Sequence, residues 1–161
     1  MNDTARWALL GAIVLFVLYL VLKSMFRLRP MVPRSPEARR RLAEAKARAV
    51  AESADPTARA AAWKEAARIA FVDLKRANLA ASFAARALSA SMDDAEAVEL
   101  LTKGYRRVRR YRTLEKWLWR CLAHGAGGAY ETAHRELIAL YDGPMRRPDW
   151  ARALRAMRPG A

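Results

Sequence analysis

AAWKEAARIAFVDLKRANLAASFAARALSASMDD, residues 61–94, is followed by AEAVELLTKGYRRVRRYRTLEKWLWRCL, residues 95–122, and the two segments follow one pattern. A shift of 34 residues brings apolar and aromatic positions of the two segments into register. The aligned pairs are Phe71 with Tyr105, Ala67 with Leu101, Ala80 with Leu114, Ala84 with Leu118, Ala87 with Cys121 and Leu88 with Leu122. Apolar residues recur at intervals of three and four, the period of an α-helix. Each segment therefore predicts two amphipathic helices joined by a short turn.

Capping residues mark where the helices begin. Ser35-Pro36 and Asp55-Pro56 each place a side chain that can cap a helix before a proline at the first helical position. Asp93 and Glu96 approximate a capping box for a later helix. The first predicted helix, over 37–53, has only a thin apolar stripe. It could pack loosely on the repeats or stand as a solvated spacer.

Turn residues divide the rest of the chain into helices. The predicted turns are Asn78, the region around Thr113, and Gly127-Gly128. Helix ends are predicted at His124-Gly125 and Gly143-Pro144, and a last, shorter helix at Pro148. Because no segment alternates apolar and polar residues as a strand does, the predicted fold class is all-α.

The 34-residue period resembles that of the tetratricopeptide-repeat family, whose unit is a helical hairpin. Small residues of the family's second helix are matched by Ala80, Ala84 and Ala87. Phe71 matches the aromatic residue of its first helix, whereas Arg68 and Met92 replace its usual glycine and terminal proline. The resemblance implies a short antiparallel solenoid closed by the last helix as a terminal cap.

An uncharged apolar segment, WALLGAIVLFVLYLVL, covers residues 7–22, and its apolar character extends to residue 26. About 20 such residues suit a helix that crosses ~30 Å of hydrocarbon. Trp7 and Tyr19 are placed for the two membrane interfaces. A cleaved signal peptide would require a basic start and a small-residue cleavage site, which this sequence does not have. We therefore expect a single uncleaved transmembrane helix rather than a signal peptide or a buried core helix.

Basic residues follow the apolar segment on one side. They are Lys23, Arg27, Arg29 and Arg34, and the first three are expected with Trp7 and Tyr19 at the membrane interface. The positive-inside rule then predicts a single-pass inner-membrane protein whose C-terminal body is cytoplasmic. The predicted domains are a tail and anchor over 1–28, a proline-containing linker and spacer helix over 29–54, and a tetratricopeptide-like repeat domain over 55–161.

Positive charge concentrates in the second repeat. The chain has a formal net charge of +14, and Lys103 to Arg120 contains eight basic residues and one acid. The resemblance implies that groove-facing positions fall on Glu96, Glu99, Lys103, Arg106 and Arg107, and in the preceding repeat on Ala62, Glu65, Ile69, Val72 and Asp73. From these, the predicted partner-binding residues are Lys103, Arg106, Arg107, Glu99 and Asp73. Arginine forks suit carboxylate or phosphate groups. Alternatively, Arg109, Arg110 and Arg112 belong to a solvated surface or a loop.

Other binding chemistries have weaker signals. Tyr105, Tyr111, Trp117 and Trp119 interleave with the arginines, as in single-strand nucleic-acid binders. Tyr105 and Trp117 lie on the apolar stripes, however, so only Tyr111 and Trp119 remain for stacking. The pattern therefore favours a protein or anionic lipid over nucleic acid.

Catalytic and metal-binding motifs were sought in the same way. Glu131 and His134 form an E-x-x-H pair, but the second pair and the further carboxylates of a di-iron bundle are missing. His124 has no ligand set at metal spacing, and Cys121 stands at a position expected to be buried. We expect no enzyme, metal or cofactor.

The predicted function is that of a membrane-anchored adaptor or scaffold that binds a partner protein or acidic peptide at the cytoplasmic face. The predicted contact with the bilayer is made by residues 7–26. One alternative is a structural accessory subunit of a membrane complex, with no groove in use. Another is a basic surface that binds anionic lipid or nucleic acid.

Overall fold

The structure, a computed structural model, describes residues 16–17, 19, 35–52 and 54–157. Within 35–52 and 54–157 it contains seven helices and no β-strand, in agreement with the predicted all-α class. The helices are α1 (Pro36–Ala51), α2 (Pro56–Val72), α3 (Ala77–Ala90), α4 (Ala95–Arg107), α5 (Tyr111–His124), α6 (Gly127–Asp142) and α7 (Pro148–Ala156). All seven belong to one compact unit that begins at Ser35.

Two predicted caps are confirmed. Ser35 Oγ accepts a hydrogen bond from the backbone N–H of Ala38, with an N···O distance of 3.4 Å. Asp55 Oδ1 accepts one from the backbone N–H of Thr57 at 2.8 Å. These bonds satisfy amide groups that have no partner inside the first turn of a helix, and so they fix the starts of α1 and α2.

The predicted cap at Asp93 is wrong by one residue. Asp94 caps α4, because its Oδ1 accepts from the backbone N–H of Ala97 at 3.1 Å. Asp93 Oδ1 instead accepts from the backbone N–H of Ala126 at 2.8 Å, in the loop between α5 and α6. Adjacent aspartates thus have different tasks: one starts a helix and the other ties two loops together.

The helical hairpins turn at basic residues. Lys75 (φ 53°), Arg109 (φ 57°) and Arg146 (φ 50°) adopt the left-handed conformation between α2 and α3, α4 and α5, and α6 and α7. In each case the next residue is an arginine at the N-cap of the following helix. Lys75 and Arg109 are 34 residues apart. The backbone turn therefore repeats with the same period as the sequence.

The predicted turn residues lie inside helices. Asn78 is the second residue of α3 and Thr113 the third of α5, because both turns end earlier, at the left-handed residues. Gly127 and Gly128 begin α6, with Gly127 at φ 52°. These turn predictions are wrong. The predicted ends at His124-Gly125 and Gly143 and the start at Pro148 are confirmed.

Each helix packs against the next along the chain, and the first helices of successive hairpins are also neighbours, α2 with α4 and α4 with α6. Helix α1 packs on α2 and contributes Ala45 and Ala49 to the core, with half-buried Leu42 beside them. The structure therefore has the packed rather than the solvated arrangement of α1. The contact of α4 with α6 forms the walls of the candidate site.

Small residues let α3 and α4 approach closely. The side chains of Ala77, Ala80, Ala81, Ala84 and Ala87 are buried on α3. A Cβ atom added to Gly104 of α4 would lie 2.8 Å from Ala81 Cβ and 2.9 Å from the Ala77 carbonyl oxygen. Alanine on the second helix of the first hairpin thus has the close-packing role that the sequence pattern predicts.

The C-terminal hairpin is held together by buried polar contacts. His134 Nε2 of α6 lies 2.8 Å from the backbone carbonyl oxygen of Leu154 in α7. Trp150 of α7 is half exposed and stacks in a tilted arrangement on Tyr141, with 5.9 Å between ring centroids. Helix α7 therefore covers the last hairpin, as expected of a terminal cap.

Most of the predicted anchor, residues 7–26, lies outside the described residues, as do Trp7, Lys23, Arg27 and Arg29. Phe16, Val17 and Tyr19 are described; each is helical and more than half exposed. Among the residues that are described, no helix is long and apolar enough to cross a membrane.

Candidate functional site

Helix α4 brings three of the predicted partner-binding residues to one side. Glu99, Lys103 and Arg106 are spaced by three or four residues, so their side chains project from neighbouring turns of one helical face. With Thr102 and with Glu136 of α6, they line a cleft of about 270 Å³. The cleft exists because α6 packs beside α4, which puts Glu136 opposite Arg106.

Both cations of the cleft have an internal carboxylate partner. Lys103 Nζ donates to Glu99 Oε2 at 3.0 Å, and Arg106 Nη2 lies 2.9 Å from Glu136 Oε2. The second pair is the more shielded, with side chains 39% and 20% exposed against 56% and 43% for the first. The cleft is therefore balanced in charge rather than cationic.

Several polar atoms of the cleft have no hydrogen-bond partner. Thr102 is 3% exposed, and its Oγ1 is buried without a partner. Arg106 Nε is also buried and unbonded, and the Arg106–Glu136 pair attracts by charge without the alignment of a hydrogen bond. A buried polar group left unbonded costs about 1–3 kcal/mol. The cleft thus offers a hydroxyl and a guanidinium N–H that a bound polar group could satisfy.

The acidic end of the predicted groove is an ion-pair network between α2 and α4. Lys64 Nζ lies 2.7 Å from Asp94 Oδ2 and 3.5 Å from Glu96 Oε2. Arg68 pairs with Glu65 at 3.2 Å and forms a close hydrogen bond to Glu96. The bond from Arg68 is the main cause that lowers the pKa of Glu96, with burial opposing it. These carboxylates hold helices together, and their charge is already compensated.

The other two predicted partner-binding residues lie apart from the cleft lining. Asp73 follows α2, and its Oδ2 is 3.3 Å from Arg41 Nη2 of α1. Arg107 is exposed at the last position of α4. The structure thus groups Glu99, Lys103 and Arg106, but not Asp73 or Arg107, around one cavity.

Unpaired positive charge lies next to the cleft, at the turn from α4 to α5. Arg107, Arg109, Arg110 and Arg112 are exposed, and none has a carboxylate partner among the residues that the structure describes. Arg109 and Arg110 form the turn itself, and Arg112 is on the outer side of α5. This agrees with the alternative of a solvated surface or loop for these three residues.

The aromatic residues of this region are divided between interior and surface. Tyr105 is buried, and Tyr111 is half-buried. Trp119 is half-buried, and its Nε1 donates to Tyr141 Oη at 3.0 Å; Trp119 is therefore not the stacking residue that the sequence suggests. Trp117 is also only half-buried, where a core position was predicted, and its ring lies 5.0 Å from Arg120 Cζ.

The remaining candidate residues are structural. Cys121 is fully buried, as predicted, and burial raises its pKa to about 11, against a smaller lowering effect of the Arg120 charge. His134 is buried between α6 and α7, whereas Glu131 is exposed, so the two do not converge. Within the described residues, no group of three His, Cys, Asp or Glu side chains could hold a metal ion.

The sequence pattern did not identify Thr102 or Glu136 as site residues. Thr102 follows Leu101 on α4, and nothing in the local sequence distinguishes a buried threonine from a surface one. Glu136 comes from the third hairpin, 30 residues after Arg106. Applying the groove positions to that hairpin as well as to the first two would have suggested Glu136.

Comparisons with known proteins found no family model, no curated protein and no solved structure that matches this chain.

Proposed function

We propose that the protein is a membrane-anchored helical-repeat adaptor, whose helical body binds a segment of a partner protein at the cytoplasmic face of the inner membrane. The apolar segment over 7–26 would supply the anchor, and the basic residues after it favour a cytoplasmic body. Successive hairpins with the same left-handed turn support a solenoid similar to tetratricopeptide repeats. Such solenoids bind through surfaces made by several repeats.

The observation that carries the proposed binding function is the cleft between α4 and α6. Its buried Thr102 hydroxyl and Arg106 Nε lack partners, which is a free-energy cost that a bound polar group would remove. The same residues come from two hairpins, so the cleft would exist only in the assembled solenoid. Both features are expected of a recognition site rather than of a chance surface depression.

The charges of the cleft restrict the partner. Arg106 is already close to Glu136, so an acidic side chain of the partner would have to replace Glu136 beside the guanidinium group. Its carboxylate could then accept from Arg106 Nε and from the Thr102 hydroxyl. Exposed Arg107 would attract an acidic segment toward the site without being buried by it. We therefore propose a partner with an acidic segment, bound with modest affinity.

The test is a set of single substitutions in the full chain. After a partner is identified by detergent pull-down from membranes, its Kd is compared for wild type, Thr102→Val and Arg107→Glu. Thr102→Val should weaken binding by about 3- to 10-fold, the effect of losing one hydrogen bond, without lowering stability, since it removes an unbonded buried hydroxyl. Arg107→Glu should mainly slow association.

Lys46→Glu is the matched control, because Lys46 is an exposed cation of α1 remote in sequence from the cleft. It changes the net charge as Arg107→Glu does and should leave binding unchanged. If Thr102→Val has no effect, or if Lys46→Glu weakens binding as much as Arg107→Glu, the cleft is not the binding site. A C-terminal topology reporter that is active only outside the cytoplasm would contradict the proposed orientation.

A further inference from the structure

The outer face of α5 carries a stripe of cations. Arg112, Lys116 and Arg120 follow one another at four-residue intervals and are all exposed. Residues four apart lie on the same side of a helix, about one turn from each other. Leu114 and Leu118 of the same helix are completely buried, so the stripe faces away from the core.

No acidic side chain balances this stripe within the described part of the chain. The single acid of α5 is Glu115, which points toward the third hairpin: Tyr141 Oη donates to Glu115 Oε1 at 2.6 Å, and Arg147 Nη1 lies 3.9 Å away. Arg109 and Arg110, in the preceding turn, add exposed positive charge. The outer face of α5 is therefore cationic without internal compensation, unlike the cleft.

An aromatic ring lies beside the cations. Trp117 is half-buried, and the guanidinium group of Arg120 lies over its ring at 5.0 Å. Thr113, Lys116, Trp117 and Arg120 line a shallow depression of about 190 Å³. Tryptophan and long basic side chains are typical of the membrane–water interface, where the ring lies at headgroup depth and the cations meet lipid phosphates.

We propose that the outer face of α5, defined by Arg112, Thr113, Lys116, Trp117 and Arg120, docks on the headgroups of an anionic lipid bilayer. Charge complementarity supports this occupant, since each basic residue near an anionic surface adds about 1 kcal/mol of attraction. Single-stranded nucleic acid would need several exposed rings to stack on. Here Trp119 is bonded to Tyr141 on the inner side, which leaves Trp117. This second contact is independent of the partner site at the cleft.

The experiment uses the full chain with Thr113→Cys, labelled with a fluorophore. Native Cys121 is fully buried and its pKa is raised, so it should not be labelled. The protein is reconstituted in vesicles that contain a headgroup-level quencher, either in phosphatidylcholine alone or in phosphatidylcholine with phosphatidylglycerol. We expect quenching of the label only with phosphatidylglycerol, and relief of quenching by added salt.

Two controls test the assignment. A label on Ala61→Cys, an exposed position of α2, should not respond to phosphatidylglycerol. Joint replacement of Arg112, Lys116 and Arg120 by glutamate should abolish quenching at residue 113, with circular dichroism used to verify folding. Replacement of the same three by glutamine should give an intermediate effect, because it removes attraction without adding repulsion.

Quenching that is equal in neutral vesicles, or that persists in the glutamate variant, would overturn the proposal. So would an absence of quenching in anionic vesicles combined with tight binding of a single-stranded oligonucleotide to this face. Flotation of the unlabelled chain with neutral vesicles tests the anchor separately, so failure of the anchor and failure of lipid docking by α5 are distinguishable.

Discussion

Single residues fix the turns of this protein at an energetic cost. Lys75 is exposed in the left-handed conformation, which costs an L-residue about 1–2 kcal/mol relative to glycine. Lys75→Gly should therefore raise the free energy of unfolding by up to about 1 kcal/mol, after the greater flexibility of glycine in the unfolded chain is subtracted. Lys46→Gly, in the interior of α1, should lower it by about 1 kcal/mol. Chemical denaturation of the two variants checks the opposite signs; a loss of stability in both would contradict the prediction.

Cys121 gives the protein a pH dependence at alkaline pH. Burial raises the pKa of its thiol from the ordinary value of 9.0 to about 11. Below pH 9.0 the thiol is protonated in both the folded and the unfolded state, so the burial of the neutral group contributes fully to stability. Above that pH the unfolded thiol ionises first, and the free energy of unfolding should fall as pH rises toward 11.

Urea denaturation at several alkaline pH values, compared between wild type and Cys121→Ala, isolates this effect. The variant should start less stable, because it leaves a small cavity, and then lose less stability as pH rises. Parallel pH dependences for the two proteins would mean that the thiol is not protected by burial.

At the scale of helices, the contact of α3 with α4 has no room for an added methyl group. Gly104→Ala would place a Cβ atom 2.8 Å from Ala81 Cβ and 2.9 Å from a backbone oxygen, so the helices must separate. We expect a loss of about 1–3 kcal/mol, despite the better helix propensity of alanine. Gly128→Ala is the control, because its Cβ would meet Ala95 Cβ at an ordinary 3.5 Å. Thermal unfolding should show a large decrease for the first variant alone.

Helix starts were easier to predict than helix ends. Ser35 and Asp55 cap through bonds to residues two or three positions away, so the necessary information is local. The turns at Lys75 and Arg109 are made by basic residues that normally avoid left-handed backbone, and tertiary packing selects them instead. The local sequence favoured Asn78 and Thr113 for that reason. The period of 34 residues nevertheless gave the correct number of helices in this region.

At the scale of the whole molecule, the charge of the cleft was beyond local prediction. Lys103 pairs within its own helix, at a spacing that the sequence displays. Arg106 is paired with Glu136 of a different hairpin, and that contact depends on how α6 packs against α4. A run of cations in sequence therefore became, in the fold, a balanced cleft and a separate unbalanced surface on α5.

This unbalanced charge should make stability depend on salt. The net charge is +14, and exposed cations without carboxylate partners repel one another, a repulsion that salt screens over about 10 Å at 0.1 M. In a nonionic detergent, the Tm of the full chain should rise with added NaCl. Joint replacement of Arg109, Arg110 and Arg112 by glutamine should raise Tm at low salt by about 2–5 °C and weaken the salt dependence. Replacement of Arg40 and Arg152, which pair with carboxylates, should not raise it. A Tm that falls as NaCl is added would mean that the surface ion pairs outweigh the repulsion.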